Sequence, residues 1–542
     1  MADLKSELKK IRAQRIDTRS APPRAAREQR PTESRRDRGE TAVLRTLQPA
    51  PATDESAKGV CGPRRDSGIG AAVSMQKVAR LASPVPTVFK PLTKSGLLRQ
   101  KLYRDPADWV ACGVNTQMES ASVLRHVDIV IGLDFGTSYT KAAVGFMDKI
   151  YPVTWEGVSL AVPSFLLASE YTVGPLGDAM FGQHPACRLD EFATDLKLPF
   201  LQPGASAPSI ARAAVFLGMV LGYIRAWVFR YHSKKLSGAT IRWQLNLGAP
   251  CNGMESERIV KAYERLADMA WVLSMHPDGR KFITAESHAS ASLPGPPCAD
   301  LIARTICPEF VAQMAGYMAS PQRVRGLHAL IDVGGGTVDI VTFNVHAIED
   351  EDTFPFLVPE VRPLGTHALS HNRLTDIEEP ATAADYDELD PVPEAEEFAA
   401  RAGIGIGHVR ERDALFSQSV SKSVRSVFAT TKARRYRLSD AWAGGVRTFF
   451  TGGGSSVGLY QDAIARAHLP GTGGLLIRPL PLHPRLDGLP LDSGQYQRVS
   501  VACGLAQDSF TLARIIAANE VEDDTPVMYQ TADRPDRDDI YG

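Results

Sequence analysis

The sequence predicts an α/β fold in two similar halves that face each other across a cleft. Three observations carry that expectation. Asp128 to Val144 consists of two apolar, β-branched runs around a Gly136-Thr137-Ser138 turn, with Asp134 just ahead of it. This is the pattern of a β-hairpin with a permissive tip. Ala329 to Phe343 repeats the device with Asp332, Gly334-Gly335-Gly336, Thr337 and a second apolar run. Between and after the two hairpins, strand-like and helix-like periodicities alternate, as in sheets covered by helices.

The chemistry of the tips follows from their residue types. Glycine lets the backbone turn without a Cβ, and Thr137, Ser138 and Thr337 add amide and hydroxyl donors. Converging donors suit a phosphate, and Asp134 and Asp332 are placed to hold a hydrated cation beside it. One such turn alone reads equally well as an ordinary tight hairpin. The second copy, roughly 200 residues on, turns the reading towards a shared phosphate site.

At 542 residues the chain can hold two or three domains. A hydrophobic content of 44% with 23% charged residues excludes a wholly disordered chain. Seven cysteines are scattered without any C-x-x-C pair, which argues against a metal knuckle and fits a reducing, cytoplasmic location. The most apolar window, Ala213 to Ile224, is bounded by Arg212 and Arg225 and is too short to span a bilayer, so a buried helix is expected.

Residues 1–95 are basic and Pro-rich and are expected to be disordered. Leu4, Leu8 and Ile11 form a short stripe at helical spacing, a tentative docking element for a protein partner. Nucleic acid is not an expected partner, because acids interleave the Arg pairs and aromatics are few. Residues 96–126 form a transition of no predicted structure. Ser209 to His232 and Met254 to Met275 read as helices, Ile241 to Pro250 as a strand, and Lys281 to Thr284 as a strand running into Ala285-Glu286. Residues 376–397 form an acidic, Pro-containing insertion, Val420 to Arg437 a basic helix, and 519–542 an acidic tail. Thr448 to Tyr460 is strand, Gly452-Gly453-Gly454-Ser455 turn, helix. Its G-x-S-x-G match at Ser456 would need a later Asp and then a later His to read as a hydrolase elbow, and no histidine follows His483. No P-loop motif occurs.

Taken in order, the two hairpins, Gly177-Asp178-Ala179 followed by Lys197, the Glu286 segment, the Gly452 turn and Arg498 to Ala506 resemble the motif series of the actin, hexokinase and heat-shock ATPase superfamily. Within it they are most similar to the ATPase domain of the DnaK-type seventy-kilodalton heat-shock chaperones. The resemblance covers residues 127–518. It departs from the family at Ser287, where a proline is usual, and at Ala368 and Leu369, where glycines are usual.

The resemblance implies duplicated ribonuclease-H-like halves, 127–325 and 326–518, binding ATP or ADP with Mg²⁺. It implies phosphate contacts from Gly136, Thr137, Ser138, Tyr139, Gly334, Gly335, Gly336 and Thr337, and adenosine contacts from Gly452, Gly453, Gly454 and Ser455. Asp134, Asp332 and Asp339 would serve the metal. Glu286 and Asp332 would orient water, with Lys197 and Thr337 completing the catalytic set. The expected activity is slow, Mg-dependent ATP hydrolysis by a molecular switch acting through partner proteins. The roughly 24 residues after 518 are too few for the family's client-peptide domain. An actin-like filament-forming ATPase and a small-molecule kinase on the same scaffold are the competing expectations.

Overall fold

The structure is a computed structural model. It describes Thr87–Phe89, Met118–Ser120 and residues 125–521, apart from 157–162, 175–176, 183–191, 202–203, 237–238, 251–255, 277, 291–300, 349–350, 378–391, 468, 509–513, 517 and 519–520. The Leu4-Leu8-Ile11 stripe, the acidic tail beyond 521 and most of the acidic insertion lie outside the described residues.

The chain is a mixed α/β structure built on two large sheets. In the first, β1 (Thr87–Phe89) and β2 (Met118–Ser120) flank one edge, and β3 (His126–Phe135), β4 (Tyr139–Phe146) and β5 (Lys149–Pro152) form an antiparallel meander. β6 (Leu167–Ala168) adds to β4, and β7 (Tyr171–Val173), β8 (Ala179–Phe181) and β9 (Phe192–Ala193) make a separate three-stranded sheet. After helix α1 (Ala207–Leu236), strand β10 (Thr240–Ala249) pairs parallel to β3. Helices α2 (Glu257–Met275) and α3 (Phe282–Ser290) precede β11 (Leu301–Pro308), which is parallel to β10, and α4 (Glu309–Met318) follows it directly.

The second sheet repeats this plan. β12 (Gly326–Val333), β13 (Val338–Ile348) and β14 (Glu351–Arg362) form the antiparallel meander. Helices α5 (Thr366–Arg373), α6 (Ala395–Ala402) and α7 (Ile406–Thr430) lead to β15 (Val446–Thr451), parallel to β12. Helix α8 (Gly458–Ala465) leads to β16 (Leu475–Arg478), parallel to β15. Helix α9 (Ser493–Leu505) follows, and β17 (Arg514–Ile516) closes the far edge. The core orders β11-β10-β3-β4-β5 and β16-β15-β12-β13-β14 therefore match in sequence order and strand sense.

Burial explains why these segments hold. Ile129, Ile131 and Leu133 of β3 pack with α1 and α2 in one apolar core. Ile331, Val333 and Ile340 pack with Val420, Val424 and Val427 of α7 in another. Helix α1 runs 30 residues, longer than the predicted stretch, and contains an 18-residue window apolar enough to cross a membrane. Since 78% of that window is buried inside the structure, its apolar surface is accounted for by packing.

Several elements differ from expectation. Thr87–Phe89 lies within the stretch expected to be disordered, yet Val88 pairs with Thr240. Lys281 to Thr284 is not a strand: only Lys281 makes an isolated bridge, and the chain enters α3. β11 went unpredicted because Arg304 and Thr305 interrupt it and residues 303–306 are only half buried, which breaks the apolar run.

Two helices change sides. Although α4 follows β11 of the first sheet, its Phe310 and Tyr317 pack on Phe343 and Phe449 of the second. Conversely α9 follows the second sheet and lies on the first, where a Cβ at Gly132 or Gly145 would collide with the backbone of Ala502 or Ala506. The two helices cross where a Cβ on Gly504 would overlap the Ala312 carbonyl. Gly504→Val is therefore expected to cost about 3 kcal/mol by forcing this backbone contact apart. Urea denaturation measures it, and an unchanged midpoint would show that the crossing tolerates separation.

Candidate functional site

One cleft between the two sheets gathers most of the predicted site residues. Its lining comprises Asp134, Gly136, Thr137, Ser138, Tyr139, Lys141, Lys197, Glu309, Gln313, Asp332, Gly334, Gly335, Gly336, Thr337, Asp339, Thr366, Val392, Gly452, Gly453, Gly454, Gln497, Arg498 and Val501. The empty space within this lining, its open mouth included, is about 990 Å³.

The hairpin tips meet at its floor. In the second hairpin the Gly334 amide donates to the Thr337 carbonyl at 2.9 Å. The start of α5 closes over this tip, with the Thr366 and His367 amides donating to the Gly334 and Gly335 carbonyls at 3.0 and 2.9 Å. In the first, Ser169 fastens the turn, its amide donating to the Ser138 carbonyl at 2.8 Å and its hydroxyl to the Gly136 carbonyl at 2.9 Å. Ser138 Oγ and His367 Nε2 lie 2.7 Å apart, joining one tip to the segment that braces the other. Gly335 must lack a side chain, because a Cβ there would overlap Ser138 Oγ. The third glycine turn docks alongside: Gly452 has φ +84°, and a Cβ on it would strike the Asp332 carboxylate.

Asp134 is buried, Asp332 and Asp339 are half-buried, and the three acids are only partly paired. Asp134 sits directly opposite Lys141 in the β3–β4 register, and Lys141 Nζ donates to Asp134 Oδ2 at 3.0 Å. Asp332 and Asp339 are likewise cross-strand partners in β12–β13. One oxygen of each, Asp332 Oδ1 and Asp339 Oδ1, is buried with no hydrogen-bond partner. Burial pushes the Asp332 carboxyl up to about 6, with Lys141 opposing and Asp134 and Glu309 adding to the shift. Burial pushes Asp339 up to about 7, reinforced by the charges of Asp332 and Glu309. Two orphaned carboxylate oxygens in a polar cleft form a donor set of the kind a hard cation takes. Among the described residues no group of three metal-ligating side chains occurs. A cation here would draw the rest of its shell from water or a bound ligand.

Glu286 is not in the cleft. It lies exposed on α3, with its backbone carbonyl accepting from Ser290 Oγ at 3.0 Å. The carboxylate that does enter the cleft is Glu309, at the first turn of α4, where the helix dipole favours an acid. Lys197 Nζ donates to Glu309 Oε1 at 2.6 Å. Burial alone would lower the Lys197 pKa, but Glu309, Tyr263 and Asp134 outweigh it and hold the ammonium well above the ordinary lysine range. Ser455 also stays out of the lining, since its hydroxyl donates to the Gly452 carbonyl at 2.7 Å.

Lys141, Gln313, Gln497 and Arg498 are further polar cleft residues that the sequence reading passed over. Gln313 stands one helical turn beyond Glu309 on the same face of α4 and is buried. Gln497 and Arg498 are aimed by α9, whose start is fixed by a capping box: the Gln495 amide donates to Asp492 Oδ1 at 2.8 Å, and the Asp492 amide to Gln495 Oε1 at 3.2 Å. Compared with protein-family models and with curated proteins, the chain matches none.

Proposed function

We propose that this chain is an ATP-binding and ATP-hydrolysing switch with a two-lobed, actin-like ATPase fold, of the kind found in DnaK-type chaperones. The observation that carries the reading is the repeated sheet order, with each copy sending an acid–glycine–threonine hairpin into the same cleft. The third glycine turn, at Gly452, docks against Asp332 beside these hairpins and supports the same reading.

In this reading Gly136 to Tyr139 and Gly334 to Thr337 present backbone and hydroxyl donors to the β- and γ-phosphates. Mg²⁺ would supply the compensating charge at those phosphates, with Asp134, Asp332 and Asp339 facing its water shell. Glu309 accepts a hydrogen bond from the attacking water and fixes its line of approach. Lys197, held by Glu309, sets a positive charge beside the bond being broken and is worth most where water is excluded. Gly452 to Gly454 leave backbone bare for the nucleoside, near the Arg498 guanidinium. The output passes to a partner protein that distinguishes open from closed lobes.

Glu309→Gln is expected to lower single-turnover hydrolysis by about a hundredfold while ATP affinity changes less than about threefold. Glu286→Gln, on the exposed face of α3, leaves both unchanged. Calorimetry with ATP and single-turnover assays decide it. A wild-type rate in Glu309→Gln, or no nucleotide bound by the wild type, would remove the assignment.

A further inference from the structure

We propose that the basic surface formed by the end of α7 and the turn after it is the docking surface of this chain's own acidic tail, residues 522–542. Lys422, Arg425, Lys432, Arg434, Arg435 and Arg437 fall in one stretch, and no acid lies between Asp413 and Asp440. The helix fixes which of them face outward. Val420, Val424, Val427 and Phe428 are buried in the core of the second sheet, so Lys422 and Arg425 lie exposed on the opposite side. Past Thr430 the helix opens into a π-helical turn, Thr431–Arg435, anchored by Thr431 Oγ1, which lies 2.6 Å from Thr342 Oγ1 of β13. That turn presents Arg434 to solvent, and Arg437 is exposed just beyond it. Lys432 rests over the Trp442 ring at 5.8 Å.

The tail leaves the fold at this surface. Val521, the last described residue, packs against the same apolar core as α7, and its carbonyl accepts from Arg435 Nη1. Glu522-Asp523-Asp524 follow at once, within about 10 Å of chain from that carbonyl. Residues 522–542 carry seven acids against two arginines, the opposite sign to the basic strip. Their length, up to about 70 Å if extended, exceeds the roughly 18 Å of helix between Lys422 and Arg434. A single exposed ion pair is weak, but a tethered segment acts at a high effective concentration, so several such pairs together suffice. Docked, the tail neutralises the strip and shields it from other polyanions.

The test is zero-length carbodiimide cross-linking of the full chain at low protein concentration, with the links mapped by mass spectrometry. Amide bonds from Glu522, Asp523 or Asp524 to Lys432 or Lys422 are expected within the monomer. They should be lost in about 1 M salt, where the Debye length falls to about 3 Å. Arg425→Gln combined with Arg434→Gln should lower their yield at least about threefold while the urea midpoint is unchanged. A labelled single-stranded RNA, followed by anisotropy, reads the shielding. The full chain carrying Glu522→Gln, Asp523→Asn and Asp524→Asn should bind it at least about tenfold more tightly than the wild type does. Absence of tail links to either lysine in the wild type overturns the proposal, whether or not the variants fold. Links found only in dimers would give the strip to a second copy, and equally tight RNA binding by both proteins would give it to nucleic acid. Either result overturns the proposal.

Discussion

Asp339→Asn is expected to make the protein more stable at pH 8 and nearly inactive. Burial, with Asp332 and Glu309 nearby, lifts the Asp339 carboxyl from its ordinary value of 3.8 to about 7. Between those two values the folded state keeps a proton that the unfolded chain has lost, so stability falls as pH rises through that window. Below about 4 both states are protonated and the penalty is absent; above about 7 it is complete. A shift of about three pK units corresponds to about 4 kcal/mol, an upper figure because part of it is the charge of Asp332. Asparagine removes the charge and with it this slope. Hydrolysis should meanwhile fall by about a hundredfold or more, as for loss of an electrostatic group at a phosphoryl site. Urea melts at pH 5 and pH 8 with turnover assays test both halves. Parallel pH slopes in wild type and variant would mean that Asp339 is not the strained group. Cation binding near pH 7 should also release protons, because the carboxylates must ionise to receive it.

Glu309→Ala is expected to destabilise the fold by about 3–5 kcal/mol, because it leaves the Lys197 ammonium buried without its counter-charge. That side chain is only 7% exposed, and Glu309 is its ion-pair partner at 2.6 Å. Adding Lys197→Met to the alanine variant should recover most of the loss, since two neutral side chains need no partner. Equilibrium denaturation of the four proteins in the cycle gives the coupling directly. A cost below about 1 kcal/mol for the single variant would show that the pair is hydrated and worth no more than a surface bridge.

The halves of the fold were legible wherever local signals were strong. Both hairpins have apolar strands and glycine tips, so Asp134, Asp332 and Asp339 could be placed from sequence, and the structure puts them in one cleft. Lys197, carried over from the family resemblance by its spacing and its neighbouring aspartate, also lines it. Glu286 misled for an identifiable reason. Its alanine-rich surroundings imitate a helix start after a strand, while the actual strand β11 has a half-buried polar middle. The local clue was Pro308-Glu309, a proline closing a strand ahead of an acid that opens a helix. Lys141 was hidden differently. Its place beside Asp134 depends on cross-strand register, which a linear reading of the hairpin shows only once the turn length is fixed. The exchange of α4 and α9 between sheets leaves no local trace: α9 buries every residue from Val499 to Leu505, so its sequence singles out no one face.

The α4–α9 crossing has a mechanical consequence. Its closest approach, Ala312 on Gly504, is not at the middle of α4. Glu309 is three residues from that point and Met318 six, so the two arms are about 4.5 and 9 Å long at 1.5 Å of rise per residue. If the helices rock about the contact, the far end travels about twice as far as the carboxylate. Glu309 would sit on the short arm of such a lever, and the long arm ends in the Ala319 to Arg325 turn that enters the second sheet at β12. Under such rocking, an adjustment at Glu309 would reach the turn ahead of β12 about doubled.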